Sequence, residues 1–224
     1  MKAWVLLGET STPDGTDLKL MRRDDEHVIL AGGKTLMSSR MHGSEEALAT
    51  ECCRHLRHAE CPVVLVGGLG MGFTLRATLD LLPAGATVVV SELVADVVEW
   101  NRGPLAPLAE YPLKDKRVVV EVGDVAATLS ASRERFDAVL LDVDNGPGPF
   151  TTSQNGALYN NQGIASAHAA LRPGGMFAVW SAREDRKFEQ RLRYHGFIVE
   201  VQRTRARLKK GGPRHTIFLA RRRA

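Results

Sequence analysis

"VVLVGGLGMGFTLRA", residues 63–77, sets four apolar residues around a β-forming run, then four glycines, then a segment that reads as helix. Glycine loses more backbone freedom on folding than any other residue, so the cluster Gly67, Gly68, Gly70 and Gly72 needs a physical reason. A tight strand-to-helix turn needs only one or two. Four suit a backbone that lies against a bulky polar ligand at a helix N-terminus, where N–H groups are free to bind it. A glycine loop in isolation is a weak signal, and the segments around it decide its meaning.

Downstream, strands are expected at about 63–67, 86–92, 117–122, 136–142 and 175–181, separated by helices at about 73–82, 94–102, 124–133 and 159–171. The runs "TVVVSE" and "DAVLLD" are continuously apolar rather than alternating, which marks strands buried on both faces of a parallel sheet. A helix at about 185–195 and the strands "FIVEVQR" and "HTIFLAR" close the chain. No helix separates these last strands, so they form an antiparallel hairpin. The expected fold is a doubly wound, mostly parallel Rossmann-like α/β sheet over 43–224.

Upstream, "AWVLLG", "LKLMRR", "HVILAG" and "KTLMSS" are short runs divided by "PDGTD", "RDDE" and "GG". They predict a small antiparallel β-sheet of three or four strands over 1–42, which must pack on the main domain or on a second subunit. The segment 43–60 reads as a helix, with Ser44 as N-cap, glutamates in its first turn, and arginines and histidines in its last.

Ligands of doubly wound sheets bind beyond the carboxyl ends of the strands, and the candidate residues fall there. Glu92, in "SEL" with Leu93, follows the glycine loop by about twenty residues, the spacing at which an acid grips ribose hydroxyls. Gly123, Asp124 and Val125, in "GDV", are placed to receive an adenine amino group, while Asp124 also suits a helix N-cap. "LLDVDNGPGPF" ends the fourth strand with Asp142 and Asp144 ahead of a stiff Gly-Pro loop. Tyr159 and Trp180 flank the space beyond it, as pocket walls or as core. The set in order points to a nucleoside-containing cofactor.

Composition narrows the alternatives. With 224 residues, 44% hydrophobic and 25% charged, the chain has the makeup of an ordinary globular protein with one large domain or one plus an appendage. No run approaches the roughly 18 apolar residues of a membrane span, and "MKAWVLLGETST" is too short in apolar content for a signal peptide. Three cysteines, two of them adjacent at Cys52 and Cys53, form neither an even disulfide set nor a zinc pattern, so a reducing cytoplasm is expected. His55 and His58 lack a third ligand at metal spacing, and no metal is expected. The net charge of +4 concentrates late, at Arg203, Arg205, Arg207, Lys209, Lys210, Arg214 and Arg221 to Arg223. Without interleaved aromatics to stack bases, this run reads as solvated surface rather than a nucleic-acid site. No GxSxG elbow follows a strand, which argues against a serine hydrolase.

Through "LAGGKTL", "SEEAL", the glycine loop, "SEL", "GDV", "LLDVDNGPGP", "LRPGG" and the final hairpin, the chain resembles the spermidine synthase-like branch of class I S-adenosylmethionine-dependent transferases. The resemblance implies a homodimer paired through the N-terminal sheets, a decarboxylated S-adenosylmethionine co-substrate and a small amine acceptor. It implies that Asp142 orients the amine and takes its proton, with Asp144 and Asn145 near the substrate; Tyr159 joins these as a substrate candidate from its place beside the expected acceptor pocket. The "GD" after the third strand and the terminal hairpin weigh against a dehydrogenase. The departures are specific. The family loop is usually GGGDGG, whose Asp holds the cofactor ammonium, whereas this loop has Leu69 and Met71 and no acid. The family's "DSTDP" is "DVDNG" here, its second acid falling on Asn145 with Asp144 adjacent. Its Tyr-His pair maps to Ser44 and Glu45, and its Gln to Thr35. These changes predict transfer of an alkyl group, aminopropyl or methyl, to an amine or other small nucleophile, with putrescine a poor acceptor. Methyl transfer from intact S-adenosylmethionine and ligand binding without catalysis are the alternatives.

Overall fold

A computed structural model describes residues 2–143, 146–147, 156–207 and 212–224. Four strands, β1 (Val5–Ser11), β2 (Asp17–Arg23), β3 (Glu26–Ala31) and β4 (Lys34–Ser38), form an antiparallel meander in the order β1-β2-β3-β4. Turns at 12–16, 24–25 and 32–33 carry Gly15, Gly32 and Gly33, as the sequence pattern requires. The meander has an inner face: Leu18, Leu20 and Ile29 are buried with Met71, Val94, Val97, Trp100 and Leu105 of the main domain in one shared cluster. Thr10 Oγ1 donates to Asp96 Oδ2 at 2.5 Å, a polar tie beside that cluster.

The main sheet has seven strands in the order β10-β11-β9-β8-β5-β6-β7. They are β5 (Val63–Gly67), β6 (Thr87–Glu92), β7 (Val118–Val122), β8 (Phe136–Leu141), β9 (Leu171–Ser181), β10 (Ile198–Arg205) and β11 (Arg214–Arg221). β5 pairs in parallel with both β6 and β8, so the chain reverses its winding there, and the switch-point crevice opens above the glycine loop. Only β11 runs against its neighbours, set between β9 and β10. Helices cover both faces: α1 (Gly43–Cys53), α2 (Phe73–Leu81) and α3 (Ala95–Arg102), then α4 (Val125–Ser130), α5 (Gly156–Tyr159), α6 (Asn161–Ala170) and α7 (Arg186–Tyr194). Alternate valines of β5 and β6 divide between two cores. Val64, Val66, Val88 and Val90 face α1 and α2, while Leu65 and Val89 face α4 and α6.

Several boundaries differ from expectation. α1 ends at Cys53, followed by a tighter turn through Leu56, so the arginines and histidines of 54–58 lie outside its last turn. His42, not Ser44, precedes α1, and neither side chain caps it. Ser44 points instead to Glu45 and His215. The expected helix 159–171 is α5 and α6, split at Asn160, whose side chain caps α6 by accepting from Gly163 N–H. β9 begins directly at Leu171, so "LRPGG" belongs to the strand rather than to a loop before it. Arg203 pairs with Glu184 and Arg222 with Glu134, so part of the late basic charge is locally neutralised. Lys209 and Lys210 lie outside the described residues.

Candidate active site

The glycine loop is shaped first by its own protein. A Cβ on Gly67 would fall 2.8 Å from Val125 Cγ2 and 2.9 Å from Leu141 Cδ2, while one on Gly68 would fall 2.4 Å from the Asp142 carbonyl oxygen. Gly68 also sits at φ +88°, which L side chains rarely adopt. Gly72 closes the loop against Asn101 and Pro112, and Asn101 Nδ2 donates to the Gly70 carbonyl at 2.8 Å. Of the four glycines, Gly68 and Gly70 line the crevice; Gly67 and Gly72 do not. The close approach at Gly67 and Gly72 is to neighbouring strands, loops and side chains.

Glu92 ends β6 and reaches into this loop. Its Oε2 accepts from Leu69 N–H at 2.8 Å and its Oε1 from Val94 N–H at 3.0 Å. The side chain thus ties the glycine loop to the start of α3. Only 8% exposed, the carboxyl is pushed above its ordinary pKa by burial, an effect the backbone donors oppose. Backbone N–H groups of Leu69, Gly70, Leu93 and Val94 all act on this carboxyl, so the loop and the start of α3 are gathered around it.

Two clefts meet above the loop. The first, of about 270 Å³, runs between the main sheet and the small sheet. Gly68, Gly70, Glu92, Leu93, Gly123, Asp124, Val125 and Asp142 line its floor, and Thr12, Asp14, Ile29, Leu36 and Met37 its roof. Asp124 caps α4 by accepting from Ala126 N–H at 2.8 Å, and a Cβ on Gly123 would meet nothing. Val94, Val97 and Ile29 give the cleft apolar walls, with carboxylates at Glu92 and Asp124 among its lining residues.

The second cleft, of about 240 Å³, opens on the other side of Asp142. Glu45, Thr74, Trp180 and His215 line it together with Met37, Met41, Met71 and Phe73. Asp142 lines both clefts and so stands at their junction. Its main chain is anchored by Asp142 N–H to the Gly67 carbonyl, 2.9 Å, and its Oδ2 accepts from Thr74 Oγ1 at 2.5 Å. Burial raises its pKa to about 6, against the lowering effect of Thr74. Burial first and the Asp142 charge second raise Glu45 to about 7. Two carboxyls that titrate near neutrality are suited to exchanging a proton with a bound cation or amine.

Glu45 was legible in sequence only as a departure from the family's aromatic and histidine pair. Its place in the site comes from α1, which packs over β8, β9, β10 and β11 and brings its first turn to the cleft. Ser44 Oγ donates to Glu45 Oε2 at 2.7 Å and lies 2.9 Å from His215 Nδ1. Trp180 lines the second cleft and packs edge-on to His215 at 4.6 Å. Of the two readings of Tyr159, pocket wall or core, its packing matches the second: it is 3% exposed, sits edge-on to Phe188, and donates from its hydroxyl to the Val143 carbonyl. Asp144 and Asn145 lie outside the described residues. Among the described residues, no three histidine, cysteine, aspartate or glutamate side chains gather at metal-binding distance, and no helix is long and apolar enough to cross a membrane.

No protein-family model matches the chain. Polyamine aminopropyltransferase 2 of Pseudomonas aeruginosa is 34% identical over 128 residues, which cover 55% of this chain and 34% of that protein. Polyamine aminopropyltransferase of Nitrosomonas europaea is 28% identical over 124 residues, covering 55% and 36%. The matched segment thus spans about a third of the length of these relatives. Among solved structures, a spermidine synthase in complex with the transition-state analogue AdoDATO superposes with a TM-score of 0.73 at 17% identity, over 96% of this chain and 72% of that one. The spermidine synthase of Thermotoga maritima gives 0.74 at 18% identity, with the same coverage. The chain is similar in sequence to polyamine aminopropyltransferases and has the fold of spermidine synthases.

Proposed function

We propose that this chain is a transferase that moves an alkyl group from an adenosyl sulfonium donor to an amine, with Asp142 between the two substrates. The observation that carries this reading is the meeting of the two clefts at one carboxylate. The nucleoside lies in the first cleft, with Glu92 on its ribose and Asp124 toward its base. Its sulfonium then points to the junction. The amine enters from the second cleft, loses a proton to Asp142, and its nitrogen lone pair forms the new C–N bond as the C–S bond breaks. Alignment of the two substrates supplies much of the acceleration, and the base makes the nitrogen nucleophilic.

Among the described residues, the charged groups lining both clefts are acids, with His215 the one other titratable group. A donor bearing a carboxylate would face Asp142 and Glu45 with no Lys or Arg to answer it. This favours the decarboxylated form of S-adenosylmethionine and transfer of aminopropyl, as the names of the similar proteins suggest. The acid-free loop around Leu69 and Met71 supports the second reading, methyl transfer from the intact cofactor. Titration calorimetry with S-adenosylmethionine, its decarboxylated form and methylthioadenosine separates them. Tighter binding of the decarboxylated form supports aminopropyl transfer, a preference for the intact form favours methyl transfer, and no binding of any of the three overturns the proposal.

A further inference from the structure

Among the described residues, the carboxylates of the second cleft are gathered at one end. Glu45 heads α1 and Asp142 follows β8, and both line the cleft beside Thr74. Glu45 is held in place from behind. The Ser44 hydroxyl has a single proton, which it gives to Glu45 Oε2, so His215 Nδ1, 2.9 Å from the same oxygen, must be the donor in that contact. Burial lowers the pKa of His215 and so favours its uncharged form. Among the described residues, the remaining wall is largely apolar: Met37, Met41, Met71, Phe73, Trp180 and Pro213.

We infer that this cleft takes an amine with one cationic head and an apolar body, its nitrogen held between Glu45 and Asp142, and that it disfavours a diamine. The inference rests on the cleft being the acceptor site proposed above. Two carboxyls at one end answer one ammonium by charge-assisted hydrogen bonds. A second ammonium a few carbons away would leave water for methionine and aromatic side chains and meet no further carboxylate among the described lining residues, which is unfavourable. A methyl group in the same position gains from leaving water. The mobile thioether side chains of Met37, Met41 and Met71 can fit an apolar body of varied shape.

The test compares n-butylamine with putrescine, which differ only by the second amine. Binding of each to the full chain is measured by calorimetry in the presence of methylthioadenosine. n-Butylamine is expected to bind at least about tenfold more tightly, and Glu45→Gln to weaken it by about tenfold through loss of one charged partner. Putrescine binding as tightly as n-butylamine, or more tightly, overturns the inference, as does a folded Glu45→Gln protein with unchanged n-butylamine affinity. If Glu45→Gln fails to fold, the wild-type comparison decides. If methylthioadenosine itself does not bind, the nucleoside reading fails separately, and the amine comparison is made on the free protein.

Discussion

Glu45 and Asp142 face one cleft from two different elements, and the charge of Asp142 raises the proton affinity of Glu45. Glu46 on the same helix adds to this, Ser44 opposes it, and His215 reaches Glu45 only through Ser44. Between the unfolded carboxyl value of 4.5 and the folded value of about 7, the native state holds more protons than the unfolded one. Stability of the free protein therefore falls as pH rises through that window. The thermal midpoint is expected to drop from about pH 5 to about pH 8. In Glu45→Gln, scanned in parallel, that drop should flatten. An equal slope in both proteins would remove Glu45 as its source.

Asp142→Asn keeps the side chain's shape and its contact with Thr74 but removes its basicity. With the donor and the amine that bind best, turnover is expected to fall about 10²–10⁴-fold with little change in donor affinity. Steady-state kinetics paired with calorimetry makes the separation. A fully active variant would move the proton transfer elsewhere.

Glu92→Ala removes the acceptor for two backbone N–H groups, at Leu69 and Val94, as well as the proposed ribose contact. Both stability and adenosyl affinity should fall, each by about 1–3 kcal/mol. Denaturant unfolding reads the first and calorimetry the second. Loss of stability with affinity intact would make Glu92 a strut of the loop and nothing more.

Gly68→Ala places a methyl group against the Asp142 carbonyl at a backbone angle that only glycine adopts easily. The backbone strain is worth about 1–3 kcal/mol, with the clash in addition. Because the displaced group is Asp142, turnover should fall beyond what lost stability explains. Unfolding midpoints measured alongside rates at low temperature would reveal this.

β1 is an edge strand of the small sheet and leaves Trp4, Val5 and Leu6 at 37%, 51% and 49% exposure. Pairing with a second copy would cover this edge, so a dimer is expected in light scattering, and Leu6→Glu should shift it toward monomer. A monomeric wild type at working concentration would defeat the expectation.

The winding of the sheet was legible because buried parallel strands need continuous apolar runs, and "VVLVG", "TVVVSE" and "FDAVLL" have them. That Glu92, Asp124 and Asp142 would line the crevice was legible because doubly wound sheets open their crevice just past the strand ends. What local pattern does not encode is which side chains from distant segments share a space. Ser44 looked like an N-cap, yet its hydroxyl serves Glu45 and His215, a strand near the other end of the chain. Tyr159 suited a pocket wall or the core equally, and α5 packs it beside Phe188. The glycines announced a ligand, yet Gly67 and Gly72 are required by neighbouring protein atoms. Strand and helix follow from period and propensity over a few residues. The charge and shape of the second cleft follow from α1 packing over the sheet with its first turn at the cleft, which only the packed chain decides.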